Sequence, residues 1–218
     1  MQEAVDGLNG WADTNKMALK KKTKDMWLCF TDSIPEPPRI QINDEEVERV
    51  NSFKLPGLSC QNDLKWNEHV DQITCKANKR LYHLRQCRKS QLPPEVGLTT
   101  SISKIRPVLE YTSPVWAGIP EYLQQEIERV QTRSLKILDL DRDYLPSLRS
   151  RRELTTIRKI RTIPAEPTHP CHTLLPGPRE YPSELRQNHF DTVLSRTERH
   201  KQSFIARSGY INLITFNF

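Results

Sequence analysis

The run WNEHVDQITCKANKRLYHLRQCR, residues 66–88, places Val70, Ile73, Ala77, Leu81 and Leu84 at strict three-and-four spacing. That period puts one apolar stripe on an α-helix and predicts a helix packed along one face. The same region, 76–89, holds six basic residues (Lys76, Lys79, Arg80, Arg85, Arg88 and Lys89) and no acidic one. Pro94 suits the first turn of a second helix, in which Leu98, Ile102, Ile105 and Leu109 share a face and Pro107 predicts a kink about one turn before the end. A third helix is expected over 121–138, with Leu123, Ile127, Val130, Ile137 and Leu138 inward. A fourth, 145–163, is weaker because Thr155, Thr156 and Ile157 are β-branched in succession. Three or four helices joined by short turns predict a small antiparallel bundle.

Upstream, residues 3–19 carry Val5, Leu8, Trp11 and Ala12 at helical spacing, although Gly7 and Gly10 weaken that helix. The apolar run 26–30 and the partial alternation in 39–42 and 47–55 predict two or three short strands. Pro35, Pro37 and Pro38 force an extended connection between them. Downstream, 164–182 contains six prolines, which predicts a linker without regular structure. The tail from 183 offers one helical stretch around 185–194 and a short apolar end at 210–218.

With 218 residues, 36% of them hydrophobic, and a mean hydropathy of -0.68, the chain allows one medium domain or two small ones with a modest core. No run of 18 apolar residues and no basic start followed by an apolar stretch occurs. Neither a transmembrane helix nor a signal peptide is expected, and an intracellular location, nuclear or cytoplasmic, follows as the expectation. Cys29, Cys60, Cys75, Cys87 and Cys171 are odd in number and lack CxxC spacing, which argues against a disulfide framework or a zinc ribbon and for reduced, mostly buried thiols.

Thirty-three Lys and Arg against 27 Asp and Glu give a net charge of +6. That value is common, and its distribution says more: acids crowd into 44–48, whereas cations concentrate in the helical middle, where a polyanion would lie. Two-metal chemistry needs carboxylates that hold ions about 4 Å apart. The acidic sites DLDRD (Asp139, Asp141, Asp143) and DEEVE (44–48) follow no strand and tight turn that would pin two carboxylates together, and Arg142 opposes the first. HPCH, 169–172, offers two imidazoles and a thiol, but no second ligand pair stands at finger-like spacing. A proline-rich linker is the better reading of it. No GxSxG, P-loop or GxGxxG occurs, so neither a hydrolase nor a nucleotide loop is supported.

The pair ISKIRPVLEYTSPVW (102–116) and EYLQQEIERVQTRSLKIL (121–138) resembles the thumb of a non-LTR, LINE-type, jockey-like retrotransposon reverse transcriptase. The likeness extends through WADTNKMALKKKTKDM (11–26), SFKLPGL (52–58) and SFI (203–205), and covers most of the chain. Together with the apolar spacing and the prolines, it gives the expectation of an α+β, mostly α fold: a palm remnant of helix and short strands (1–55), a three- to four-helix thumb-like domain (56–162), a Pro-rich linker (163–182) and a tail (183–218), with a disordered Pro-rich C-terminal region. It implies a motif-D-like pair at Lys22 and Thr23, where the lysine would protonate leaving pyrophosphate. It also implies a primer-grip-like hairpin at Phe53, Lys54 and Gly57. Pro56 stands in that hairpin and lacks a ladder donor, so weakened edge pairing is expected. The family's metal-binding aspartates, in a Tyr-x-Asp-Asp turn, are expected upstream of the segment that begins at Met1. Mg²⁺ is thus implied only for the full-length enzyme, and no cofactor or catalytic residue is assigned to this chain.

What remains is charge. Arg129, Arg133 and Lys136 form one helical stripe, and Lys76, Arg80 and His83 another, with Lys79 and Arg85 nearby. Such stripes are ordinarily solvated surface; two of them on neighbouring helices suggest a grip on the phosphates of an RNA/DNA hybrid or duplex. A truncated, catalytically incomplete fragment of an RNA-directed DNA polymerase is the expected identity. Two alternatives stay open: a domesticated, non-enzymatic nucleic-acid or protein binding module, and an unstable retroelement-derived gene-prediction product without function. Oligomeric state is not specified by these residues.

Overall fold

A computed structural model describes residues 2–17, 23–29, 34–43, 45–175, 197, 201–203 and 206. The fold is α+β and mostly α. The chain divides into two compact units, Met1–His69 and Val70–Phe218.

In the first unit, α1 (Gln2–Thr14) forms despite its two glycines. Ala12 is its buried residue, whereas Leu8 and Trp11 are exposed. The Gln2 amide clamps the chain at Gln41, donating to its carbonyl at 2.8 Å and accepting from its N–H at 3.0 Å. Among the described residues six short strands make three two-stranded sheets: β1 (Lys24–Asp25) lies parallel to β4 (Glu48–Arg49), β2 (Gln41–Ile42) antiparallel to β3 (Glu45–Glu46), and β5 (Ser52–Leu55) antiparallel to β6 (Leu58–Gln61). The strands are more numerous and shorter than expected, and residues 26–29 of the apolar run are not strand.

Arg49 explains how the proline cluster is held. Its guanidinium donates to Asp25 at 2.7 Å, to Glu36 at 3.0 Å and to the Pro37 carbonyl at 2.7 Å. The hydrogen bonds to Asp25 and then Glu36 raise its pKa. Pro56 does not weaken the hairpin. Leu55 pairs with Leu58, so Pro56 and Gly57 are the two turn residues, and Gly57 has φ 81°. Proline at the first and a positive-φ glycine at the second central position suit a turn in which no ladder donor is required at 56.

The second unit begins at Val70, inside α2 (Asn67–Lys89), and that helix buries Val70, Ile73, Ala77, Leu81 and Leu84 as its spacing predicts. The next helix is not continuous α. It runs as α3 (Pro94–Thr100), a π turn (Ser101–Ile105) and α4 (Arg106–Glu110), with the Arg106 N–H bonded five residues back to Ser101. Pro107 has no N–H for the Ser103 carbonyl and its ring crowds that turn, so widening just before it relieves both. The inner face becomes Gly97, Ser101, Ile105 and Leu109. Ile102, expected inside, is 42% exposed, because the π turn rotates it outward. Leu98 is half-buried.

A short helix, α5 (Ser113–Trp116), follows Thr112 in the left-handed region at φ 50°. Then α6 (Glu121–Ile137) buries Leu123, Ile127, Val130 and Leu135, with Ile137 half-buried and Leu138 buried. The last long helix among the described residues, α7 (Leu148–Ala165), is complete in spite of its β-branched run. The Thr155 and Thr156 hydroxyls bond back to the Arg151 and Arg152 carbonyls at 2.8 Å, and Thr156 and Ile157 are buried. Its start is capped twice, by Ser147 Oγ accepting from Ser150 N–H at 3.2 Å and by Glu128 accepting from Leu148 N–H at 3.1 Å. Pro164 lies inside its final turn, so the expected linker begins as helix, with Ile163 fully buried. A 3-10 turn at His172–Leu174 adds regular structure that the prolines did not suggest.

Buried polar groups join the π turn and α4 to α6. Ser101 donates to Ser134 at 3.3 Å, and Arg106 to Gln131 at 3.2 Å. Burial, then the nearby Arg151 charge, lowers the pKa of Arg106. Arg151 makes a two-pronged pair with Glu110 at 2.5 and 3.1 Å, which raises its pKa. Arg152, only 2% exposed, stands 5.5 Å from the Trp116 ring centroid, a favourable cation-π placement. The backbone of Gln202 lies so close to Gly118 that a Cβ there would meet its carbonyl oxygen, and Ala206 is buried. The expected helix at 185–194 and apolar end at 210–218 lie outside the described residues, as does most of 176–206.

Candidate nucleic-acid interface

Arg129, Arg133 and Lys136 are all exposed on α6, within about a sixth of its circumference at 3.6 residues per turn. Beside them an open groove of about 570 Å³ runs along the outer face of α6 to the start of α7. Arg129 and Arg133 line it from α6, Arg142 from the connection, and Arg149 from the first turn of α7. Four arginines line one hollow. Arg149 is paired with Glu121 and Glu153, which leaves Arg129, Arg133 and Arg142 as the cations that attract anions, and arginine's planar fork suits phosphate oxygens.

The carboxylates at the groove are largely engaged. Glu121 pairs with Arg149 at 3.1 Å, and Glu128 receives the Leu148 N–H. Arg129 and Arg142 form no ion pair among the described residues. Glu126, also on this side of α6, subtracts one charge from the stripe. Ser147 and Thr132 complete the wall with hydroxyls.

The two basic stripes do not form one surface. Arg133 donates to Asn78 at 3.2 Å, which sets α6 against one flank of α2. Arg80 donates to the Lys104 carbonyl, on the flank that faces the π turn. The helices α3–α4 and α6 straddle the apolar face of α2 on opposite sides, so Lys76, Arg80 and His83 lie away from the α6 stripe. Lys76, Lys79 and Arg85 are exposed. On the α6 side Arg88 donates to the Ile137 carbonyl at 3.1 Å and pairs with Asp139 at 2.6 Å.

The other candidates are placed as follows. Phe53 and Lys54 are exposed on β5, and Gly57 is in the turn. Thr23 is exposed, and Lys22 lies outside the described residues. Among the described residues no group of three or more His, Cys, Asp or Glu is arranged to hold a metal ion. Asp139 of the DLDRD run is paired with Arg88 rather than opposed by Arg142. In HPCH, His169 Nδ1 accepts from the Cys171 N–H at 3.1 Å. The thiols are less buried than expected: Cys75 is exposed and the other four are half-buried. Cys60, Cys75 and Cys87 lie off the inner faces of β6 and α2, and Cys29 and Cys171 lie in no helix or strand. Burial raises the pKa of Cys60. No described helix is long and apolar enough to cross a membrane.

Neither Arg142 nor Arg149 was among the binding residues expected from the sequence. Arg142 sits inside an acidic run that draws attention to its carboxylates, and Arg149 belongs to a helix whose start is marked only by Ser147. Comparison with family models, with curated proteins and with solved structures gave no match.

Proposed function

We propose that the second unit grips nucleic acid through its phosphates, without reading sequence, and that the chain derives from the thumb end of a non-LTR retrotransposon RNA-directed DNA polymerase. The observation that carries the binding reading is the groove at α6, where Arg129, Arg133, Arg142 and Arg149 converge. The origin rests on the sequence resemblance at 102–116 and 121–138. In this reading the α6 stripe and the groove form the phosphate track, and the Lys76–Arg80 flank of α2 is a separate basic surface.

An RNA/DNA hybrid or a duplex is the partner that the resemblance implies. Binding of labelled hybrids of different sequence, followed by fluorescence anisotropy, tests it. Arg129→Gln and Arg142→Gln are expected to weaken all sequences alike, since phosphate contacts position a strand without specifying it. Loss confined to some sequences would point to base reading and sink the proposal. The origin has its own test, which is to read the in-frame codons immediately 5′ of Met1 for a Tyr-x-Asp-Asp turn.

A further inference from the structure

Two tyrosines flank the cationic stripe. Tyr122 and Tyr82 are 56% and 57% exposed. Tyr122 precedes Arg129 by two helical turns and falls on the same stripe, about 16 Å along the α6 axis from Arg133. Tyr82 follows Asn78 by one turn on α2, and Asn78 receives the Arg133 guanidinium, so Tyr82 belongs to this side of α2. The His83 ring stands edge-on to it, 6.0 Å between centroids. Exposed tyrosines elsewhere, such as Tyr111 and Tyr144, lie on no basic stripe.

We infer that this surface prefers a strand with unpaired bases over a paired one, with Tyr122 and Tyr82 as stacking platforms and the arginines as the phosphate contacts between them. This rests on the phosphate grip proposed above and names the form of nucleic acid that the grip takes. The physical reason is that charge attracts both forms, whereas the face of an aromatic ring discriminates. A duplex keeps its bases stacked on each other inside. A single strand offers them to any exposed ring, irrespective of sequence, because every base has a π face. Glu126 beside the stripe opposes phosphates of either form equally.

The test compares a short oligothymidylate with a blunt duplex of the same length by anisotropy over a range of salt. The single strand is expected to bind at least about fivefold more tightly, the factor that one modest stacking contact supplies. Tyr122→Ala and Tyr82→Ala should each weaken the single strand by about that factor and leave the duplex unchanged, whereas Tyr122→Phe and Tyr82→Phe should retain binding because stacking needs the ring and not the hydroxyl. Photocrosslinking of an oligonucleotide carrying 5-iodouridine to Tyr122 or Tyr82 in the unaltered chain gives a readout that no loss of folding disturbs. Equal, salt-sensitive affinity for both forms, unmoved by the alanine changes, would overturn the inference and leave the phosphate grip standing. Absence of salt-sensitive binding to either form would overturn both.

Discussion

The Leu138 side chain occupies the space that a Cβ on Gly97 would need. Gly97 is in α3 and Leu138 ends α6, so these two helices meet at a glycine. Gly97→Ala gains about 1 kcal/mol of helix propensity, but it forces a methyl group into a filled site, which ordinarily costs about 1–3 kcal/mol. The clash is expected to win, and Gly97→Ala should lower the denaturation midpoint. In a Leu138→Ala background the same change should become neutral or stabilising, a coupling that a double-mutant cycle measures.

The core of the second unit gives a sharper contrast. Leu81→Ala and Ile127→Ala remove fully buried side chains and are each expected to cost about 2–5 kcal/mol. Ile102→Ala, on the stripe drawn from sequence but rotated outward by the π turn, should stay within about 0.5 kcal/mol. Urea unfolding of the three variants checks the register; a large loss at Ile102 would show that α3 to α4 is continuous α-helix.

His69 predicts an acid sensitivity in the first unit. It is 2% exposed, and its Nδ1 accepts the Ser59 N–H at 3.3 Å, which needs an unprotonated nitrogen. Burial lowers its pKa below 6.5, so the unfolded chain binds the proton more readily than the folded one. Its contribution is complete above pH 6.5 and declines as pH falls from there toward the depressed folded value. His69→Asn retains an acceptor without titrating, and should flatten that part of the stability profile as followed by denaturant midpoints.

Salt dependence reports on the α6 stripe directly. If Arg129, Arg133 and Lys136 each neutralise one phosphate, changing all three to Gln should reduce the slope of log K against log salt by about 2.7 on B-form DNA. The equivalent change at Lys76, Lys79 and Arg80, on the other flank of α2, should leave that slope close to its original value. Equal effects from both sets would show that the two flanks act together.

Primer extension is the last expectation, and it is negative. Asp139, the first carboxylate of the DLDRD run, is committed to Arg88 at 2.6 Å, and Asp141 and Asp143 are exposed beside Arg142. Phosphoryl transfer needs ions that neutralise developing charge. Neither Mg²⁺ nor Mn²⁺ should support template-dependent incorporation by the chain, measured with material free of host polymerase.

The helix α2 was legible because five apolar residues keep one period without interruption. The segment 94–110 was legible only as helix, since a wheel drawn with constant pitch puts Ile102 inside and Ser101 outside, and Pro107 makes the pitch change. Pro56 misled for a related reason. Its missing donor matters only if the residue lies in the ladder, and Gly57 moves it into the turn. The α6 stripe was visible in sequence, as its exposure shows, but its relation to the α2 stripe was not. Periodicity fixes which face of a helix is apolar and leaves open which neighbour lies on either side, and here Arg80 and Arg133 were drawn to different neighbours.

The close approach of Gln202 to Gly118 changes how the molecule should be shortened for study. A form cut after Leu175 removes the backbone that presses on Gly118 and with it Ala206, so it opens surface that the whole chain covers. In such a form Gly118→Ala should be tolerated, whereas in the whole chain it should not. Trimming for crystallisation or labelling is therefore better stopped beyond residue 206 than at the proline-rich stretch, where the sequence invites the cut.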